Sequence, residues 1–156
     1  MVLNNNDVGG MMQISAATEN DKAAWLPLWR AYLDFYKQAL DDDITDLTFA
    51  RALDDGESLN LLVAKEGDTV IGFATYVMHR SSWARAWYCY LEDLFVDEAG
   101  RGKGVGKALI AAVAEAARQK GAERLYWVTD EANTTAQALY EKVATKTDFI
   151  QFRRDL

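Results

Sequence analysis

Cysteine, histidine and proline are nearly absent: 156 residues hold one of each, Cys89, His79 and Pro27. A single cysteine excludes an intramolecular disulfide, and cytoplasmic residence is the expectation that fits it. One cysteine and one histidine leave too few soft ligands for a structural zinc site, so no metal is expected. No apolar run reaches the ~20 residues of a membrane span. The start, Met1 to Asp7, lacks both the basic and the apolar stretch of a signal peptide, and none is expected. Positive charge is in deficit: 17 Lys and Arg stand against 24 Asp and Glu, a net charge of -7. That argues against a nucleic-acid partner and is compatible with a cationic substrate. There are no repeats and no linker, which predicts one domain over 11–156 behind a loose, polar segment 1–10.

What is present is an ordinary globular composition, half hydrophobic and 12% aromatic. Gln13 to Ala16 reads as a short strand. Trp25, Leu28, Trp29, Tyr32, Leu33 and Tyr36 then recur at helical spacing, and 44–54 suggests a second helix. Pro27 belongs to the first turn of that helix or kinks it. Leu59 to Lys65 and Thr69 to Met78 are strand-like runs around a Glu66-Gly67-Asp68 turn, and Ala86 to Val96 is a long aromatic strand. A helix from Val105 ends at Gly121. Leu125 to Thr129 reads as a strand, 134–145 as a helix capped by Asn133, and Phe149 to Phe152 as a final strand. The predicted order is β-α-α-β-β-β-α-β-α-β, a mixed α/β sheet in one layered domain.

The most informative stretch joins the aromatic strand to the helix: Arg101-Gly102-Lys103-Gly104-Val105-Gly106-Lys107. A glycine-rich, basic turn at a helix N-terminus is an anion site, because amides converge where the helix dipole is positive. A nucleoside-triphosphate loop, G-x-x-x-x-G-K-[S/T], fails at Arg101 and at Ala108, and a G-x-G-x-x-G dinucleotide loop fails at Val105, Lys107 or Leu109 in its three registers. The pattern [Q/R]-x-x-G-x-[G/A] fits without adjustment. It resembles the GCN5-related N-acetyltransferase superfamily, and the resemblance runs from about residue 13 to the end. The block Asn133-Thr134-Thr135-Ala136-Gln137-Ala138-Leu139-Tyr140, with Leu91 to Val96 and the ending Phe149 to Arg154, looks like the branch of yeast histone and D-amino-acid N-acetyltransferases.

The resemblance implies the acyl-CoA N-acyltransferase fold and acetyl-CoA as cosubstrate. Leu94, Phe95 and Val96 would pair with the pantetheine arm, and Arg101, Gly102, Lys103, Gly104, Val105, Gly106 and Lys107 would surround the pyrophosphate. Asn133, Ala136 and Tyr140 complete the cofactor set. Tyr140 is expected to protonate the departing thiolate, and Glu92 to take the acceptor's proton directly or through water. Because adjacent strand residues point to opposite faces, at most one of Glu92 and Asp93 should face the cleft, and Glu92 is chosen by resemblance. Trp29, Tyr32, Trp83 and Glu92 are the expected acceptor contacts, with Tyr36 and Trp87 as further candidate walls. Acid beside aromatic suits an amine. Cys89, mid-strand among aromatics, reads as a small buried hydrophobe and His79 as a surface residue, so transfer should be direct, in a ternary complex without an acyl-enzyme. The alternative is a non-catalytic acyl-CoA sensor. A homodimer is possible.

Overall fold

A computed structural model describes residues 3–4 and 11–156. Six strands form one sheet in the order β1 (Leu3–Asn4), β2 (Met12–Ala16), β3 (Leu59–Glu66), β4 (Thr69–His79), β5 (Trp87–Val96) and β6 (Ala122–Tyr126). All neighbours are antiparallel except β5 and β6, which run parallel. The parallel pair needs a crossover, supplied by helix α3 (Val105–Gln119). Helices α1 (Lys22–Phe35) and α2 (Asp42–Ala52) cover the other face, and α4 (Thr134–Tyr140) follows β6.

Alternation along the strands divides the core in two. On one face Leu109 and Val113 of α3 pack on Ile14, Ile71, Ala74 and Leu91. On the other, Trp25 and Trp29 of α1 and Phe49 of α2 pack on Val63 and Phe73. Trp25 is fully buried and stacks on Trp29, 5.3 Å between ring centroids. Pro27 sits inside α1, one turn beyond its start.

The mixed α/β sheet agrees with the sequence reading, with differences in detail among the described residues. The expected loose segment 1–10 lies outside the described residues apart from Leu3–Asn4, which pair with Ile14 and Gln13. Strand β6 begins at Ala122 rather than Leu125, because Gly121 (φ 84°) turns the chain from α3 straight into register with Trp87 to Tyr90. Helix α4 stops at Tyr140, and turns continue to Ala144. The expected strand Phe149 to Phe152 is irregular, with Phe149, Ile150 and Phe152 between 77 and 89% exposed. Strand propensity reflects fit to a half-buried pleated surface, and this segment meets none.

Candidate active site

Two irregularities in β5 shape the site. The β4–β5 register shifts between Thr75, opposite Asp93, and Tyr76, opposite Leu91, so Glu92 is an extra residue on β5. Such a bulge bends the strand and re-aims its side chains. The β5–β6 pairing ends at Tyr90 opposite Tyr126. Beyond that pair no strand among the described residues neighbours the outer edge of Leu91 to Val96, and its backbone groups are available to an extended ligand.

The bulge corrects the expectation that only one acid faces the cleft. Asp93 lies on the α1 face, opposite Thr75. It accepts hydrogen bonds from the hydroxyls of Tyr32, at 2.5 Å, and Thr75. Glu92 shares that side: both carboxylates perturb the hydroxyls of Tyr32 and Tyr90. Burial raises the pKa of Glu92 above the ordinary carboxylate range, and the Asp93 charge adds to the rise. Burial likewise raises Asp93, against the lowering effect of Thr75 and Tyr32. Burial, then the Asp93 carboxylate, holds the Tyr32 hydroxyl firmly protonated.

Across the opening stands α4. Asn133 caps it, accepting from the amide of Ala136 at 3.2 Å, and also hydrogen-bonds Tyr36 at the C-terminus of α1. Tyr140 packs edge-on against Trp127, 5.3 Å between ring centroids, and is partly buried. Burial, then proximity to Tyr36, raises its pKa, so the hydroxyl keeps its proton. Asn133 bonds Tyr36 and Tyr140 feels its hydroxyl, in keeping with two-turn spacing on one helix face.

The glycine turn lies where β5 gives way to α3. Gly102 and Gly104 both adopt φ 75°, a left-handed conformation that side chains disfavour, and Gly104 caps α3. Helical bonding starts with the amide of Ala108 donating to the carbonyl of Gly104. The amides of Val105, Gly106 and Lys107 therefore precede the helical ladder and face the turn. A Cβ on Gly106 would meet Leu139 Cδ2 at 3.1 Å, so a side chain here would make Leu139 yield by a few tenths of an ångström where α3 and α4 approach. These donors, with the free β5 edge leading to them, fit a pyrophosphate on an extended arm.

The remaining sequence-predicted residues fall as follows. Leu94 and Val96 lie on the α3 face at the free edge, whereas Phe95 packs on Phe73 and Tyr32 in the α1 core. Val105 is buried, so its backbone alone can serve the turn. Arg101 is exposed near Glu98. Lys103, expected to reach a phosphate, pairs with Glu66 at 3.1 Å. Lys107 flanks a groove of about 570 Å³ between α3, Trp127 of the chain after β6 and Val143 to Thr145. Trp29 is a correction. It is 5% exposed, and its indole N–H donates to Thr45 at 3.0 Å, so it supports the core and contacts no acceptor. Trp83 is 72% exposed in the β4–β5 loop. Trp87 carries the Arg80 guanidinium 3.8 Å over its ring. Tyr32 is held by the hydrogen bond from its hydroxyl to Asp93. Cys89 is fully buried and its thiol is pushed up to about 12, by burial above all. Sequence reasoning did not single out Asp93 as a site residue, nor Tyr90 and Tyr126. The tyrosines at alternate positions 88 and 90, facing 126, were the available signal.

Comparison with known proteins agrees with this geometry. Residues 23–144 match the model of the acetyltransferase (GNAT) family. The chain is 39% identical over 150 residues to the D-amino-acid N-acetyltransferase HPA3 of Saccharomyces cerevisiae, covering 95% of this chain and 93% of that one. It is 36% identical to the uncharacterized N-acetyltransferase YhfO of Bacillus subtilis, over 84% of this chain and 87% of the other. Among solved structures, the aminoglycoside N-acetyltransferase AAC(6')-Iy in complex with CoA shares the fold, with a TM-score of 0.82 at 24% identity, covering 95% and 97% of the two chains. With a family match over most of the chain and a relative 39% identical along nearly its full length, the chain is an acetyltransferase and belongs to the GNAT family.

Proposed function

We propose that this enzyme passes the acetyl group directly to a primary amine while both substrates are bound. Acetyl-CoA supplies the activated acyl group as a thioester. The amides at Gly102 to Lys107 and the free edge of Leu94 to Val96 hold the cofactor so that its acyl end meets Glu92. Glu92, whose raised pKa keeps it a usable base near neutrality, takes the acceptor's proton directly or through water. Tyr140, still protonated, delivers a proton to the departing sulfur. The buried, protonated thiol of Cys89 favours direct transfer over an acyl-enzyme.

The observation that carries this reading is the bulge at Glu92, which sets two carboxylates within electrostatic reach of Tyr90 where β5 and β6 part. Anionic and aromatic groups together suit an ammonium substrate. The relative named for D-amino acids makes a free amino acid the first acceptor to assay. The exposed apolar segment Phe149 to Phe152 supports a homodimer as the working state. The test is thiol release from acetyl-CoA with a panel of D-phenylalanine, L-ornithine, spermidine and a lysine peptide. Amine-dependent release is the expected result. Release that ignores the amine, or none with any of them, overturns the reading.

A further inference from the structure

The first two cationic side chains of the glycine turn each face an acid. Arg101 stands 3.9 Å from Glu98, a loose and exposed pair. Lys103 is held more closely. Its Nζ donates to both carboxylate oxygens of Glu66, at 3.1 and 3.2 Å.

The fold brings this distant acid to the turn by packing the turn on the β3–β4 hairpin. Glu66 is the last residue of β3, opposite Thr69 of β4 and Met12 of β2. Just past β5, the amide of Asp97 donates to the carbonyl of Ile71 at 2.9 Å. A Cβ on Gly100 would stand 2.9 Å from that same carbonyl, so a side chain there would push the turn and the hairpin apart. The two partners differ in freedom. Sheet ladders on both sides fix the backbone of Glu66. Lys103 lies between Gly102 and Gly104, both at φ 75°, and its side chain is half exposed. A lysine ammonium is a point charge on a flexible stem, able to exchange one anion for another. Lys65, beside Glu66, does not compete for the acid, because the buried Asp21 holds it.

The amides of Val105 to Lys107 begin two residues after Lys103. With consecutive Cα atoms about 3.8 Å apart, the first of them lies under about 7 Å from the Lys103 Cα. A phosphate held by those amides would offer the Lys103 ammonium a second anion, in competition with Glu66.

We propose that Glu66 is a counter-ion for the phosphate site: it holds Lys103 while the turn is empty, yields the lysine to the phosphates of acetyl-CoA, and takes it back as CoA leaves. The proposal rests on the reading of the turn as the cofactor site and adds a control on cofactor affinity. Each cofactor that binds breaks one ion pair to make another, so Lys103 contributes only the difference between the two. That holds down the affinity for CoA, which must leave after every turnover, and product release limits many enzymes. Glu66 acts through Lys103 and touches no reacting atom, so it is a positioning residue.

Calorimetric titration with CoA tests this in the unmodified protein and three variants. Glu66→Gln keeps the size of the side chain and frees the ammonium. It should tighten CoA about threefold, the worth of one exposed ion pair, and the gain should fade as salt rises. A merely structural acid would give unchanged or weaker binding when replaced. Asp68→Asn removes the same charge from the same hairpin without an ion pair to Lys103, and should leave CoA affinity as it is. Lys103→Met should weaken CoA binding. In turnover with an amine of the panel, Glu66→Gln should make CoA a stronger product inhibitor by the same factor, with the amine KM unchanged. Unchanged or weaker CoA binding in Glu66→Gln overturns the proposal. So does equal tightening in Asp68→Asn, or no effect of Lys103→Met. Amine turnover with unchanged CoA affinity in Glu66→Gln removes this proposal alone. Tightening of CoA in a protein that acetylates no amine removes the acetyl-transfer reading alone.

Discussion

At the scale of single residues, two hydroxyls converge on one acid beside Glu92. Asp93 holds the Tyr32 and Thr75 hydroxyls, and its charge helps keep the neighbouring Glu92 proton-hungry. Two predictions belong here. Tyr32→Phe removes one of the two donors to a largely buried carboxylate, so it should destabilise the protein by about 1–3 kcal/mol in urea unfolding. An unchanged midpoint would mean that water already satisfies Asp93. The second concerns pH. Asp93 binds its proton more tightly folded than unfolded. Between the ordinary carboxyl value and the raised one, the folded state therefore carries more protons, and stability falls as pH rises through that window. Asp93→Asn should flatten that part of the stability profile. A variant profile parallel to that of the unmodified protein would remove the raised carboxyl from the account.

At the scale of elements, the glycine turn and the bulge set the geometry, and they differ in how visible they are in the sequence. Gly104→Ala forces a side chain into the left-handed cap of α3, a cost of about 1–3 kcal/mol. It should also raise the acetyl-CoA KM, since the amides of Val105 to Lys107 move with the cap. A stable variant with unchanged KM would show that the turn does not carry the pyrophosphate. The turn was legible because glycine and arginine at fixed spacing have few other reasons to occur together. The long aromatic β5, the α3 stripe and its Gly121 stop were legible from period and punctuation alone. The bulge was not, because nothing local distinguishes Glu92 from an alternating strand residue. The extra residue is defined only against β4, and strict alternation therefore misassigned Asp93. Trp29 was misread for a related reason: a helical stripe shows which residues share a face, not which part of that face the sheet covers. The strand expected at Phe149 to Phe152 failed because a strand needs a partner edge as well as suitable residues.

At the scale of the whole molecule, two cores on opposite faces of one sheet hold β5 rigid while its outer edge stays open. Trp25→Ala empties the centre of the α1 face and should cost about 3–5 kcal/mol, read by thermal or urea unfolding. A smaller loss would mean that α1 collapses onto the sheet to fill the space. In the proposed reaction Glu92 and Tyr140, on elements brought together only by the fold, move the protons of acetyl transfer. The pH dependence of kcat/KM for amine acetylation, compared among the unmodified enzyme, Glu92→Gln and Tyr140→Phe, tests it most directly. The unmodified enzyme should gain activity with pH along an acidic limb lying above the ordinary carboxylate range. Glu92→Gln should lose about 10²-fold and abolish that limb, and Tyr140→Phe should lose a similar factor while keeping it. An acidic limb that persists unchanged in Glu92→Gln, with activity intact, would contradict the account.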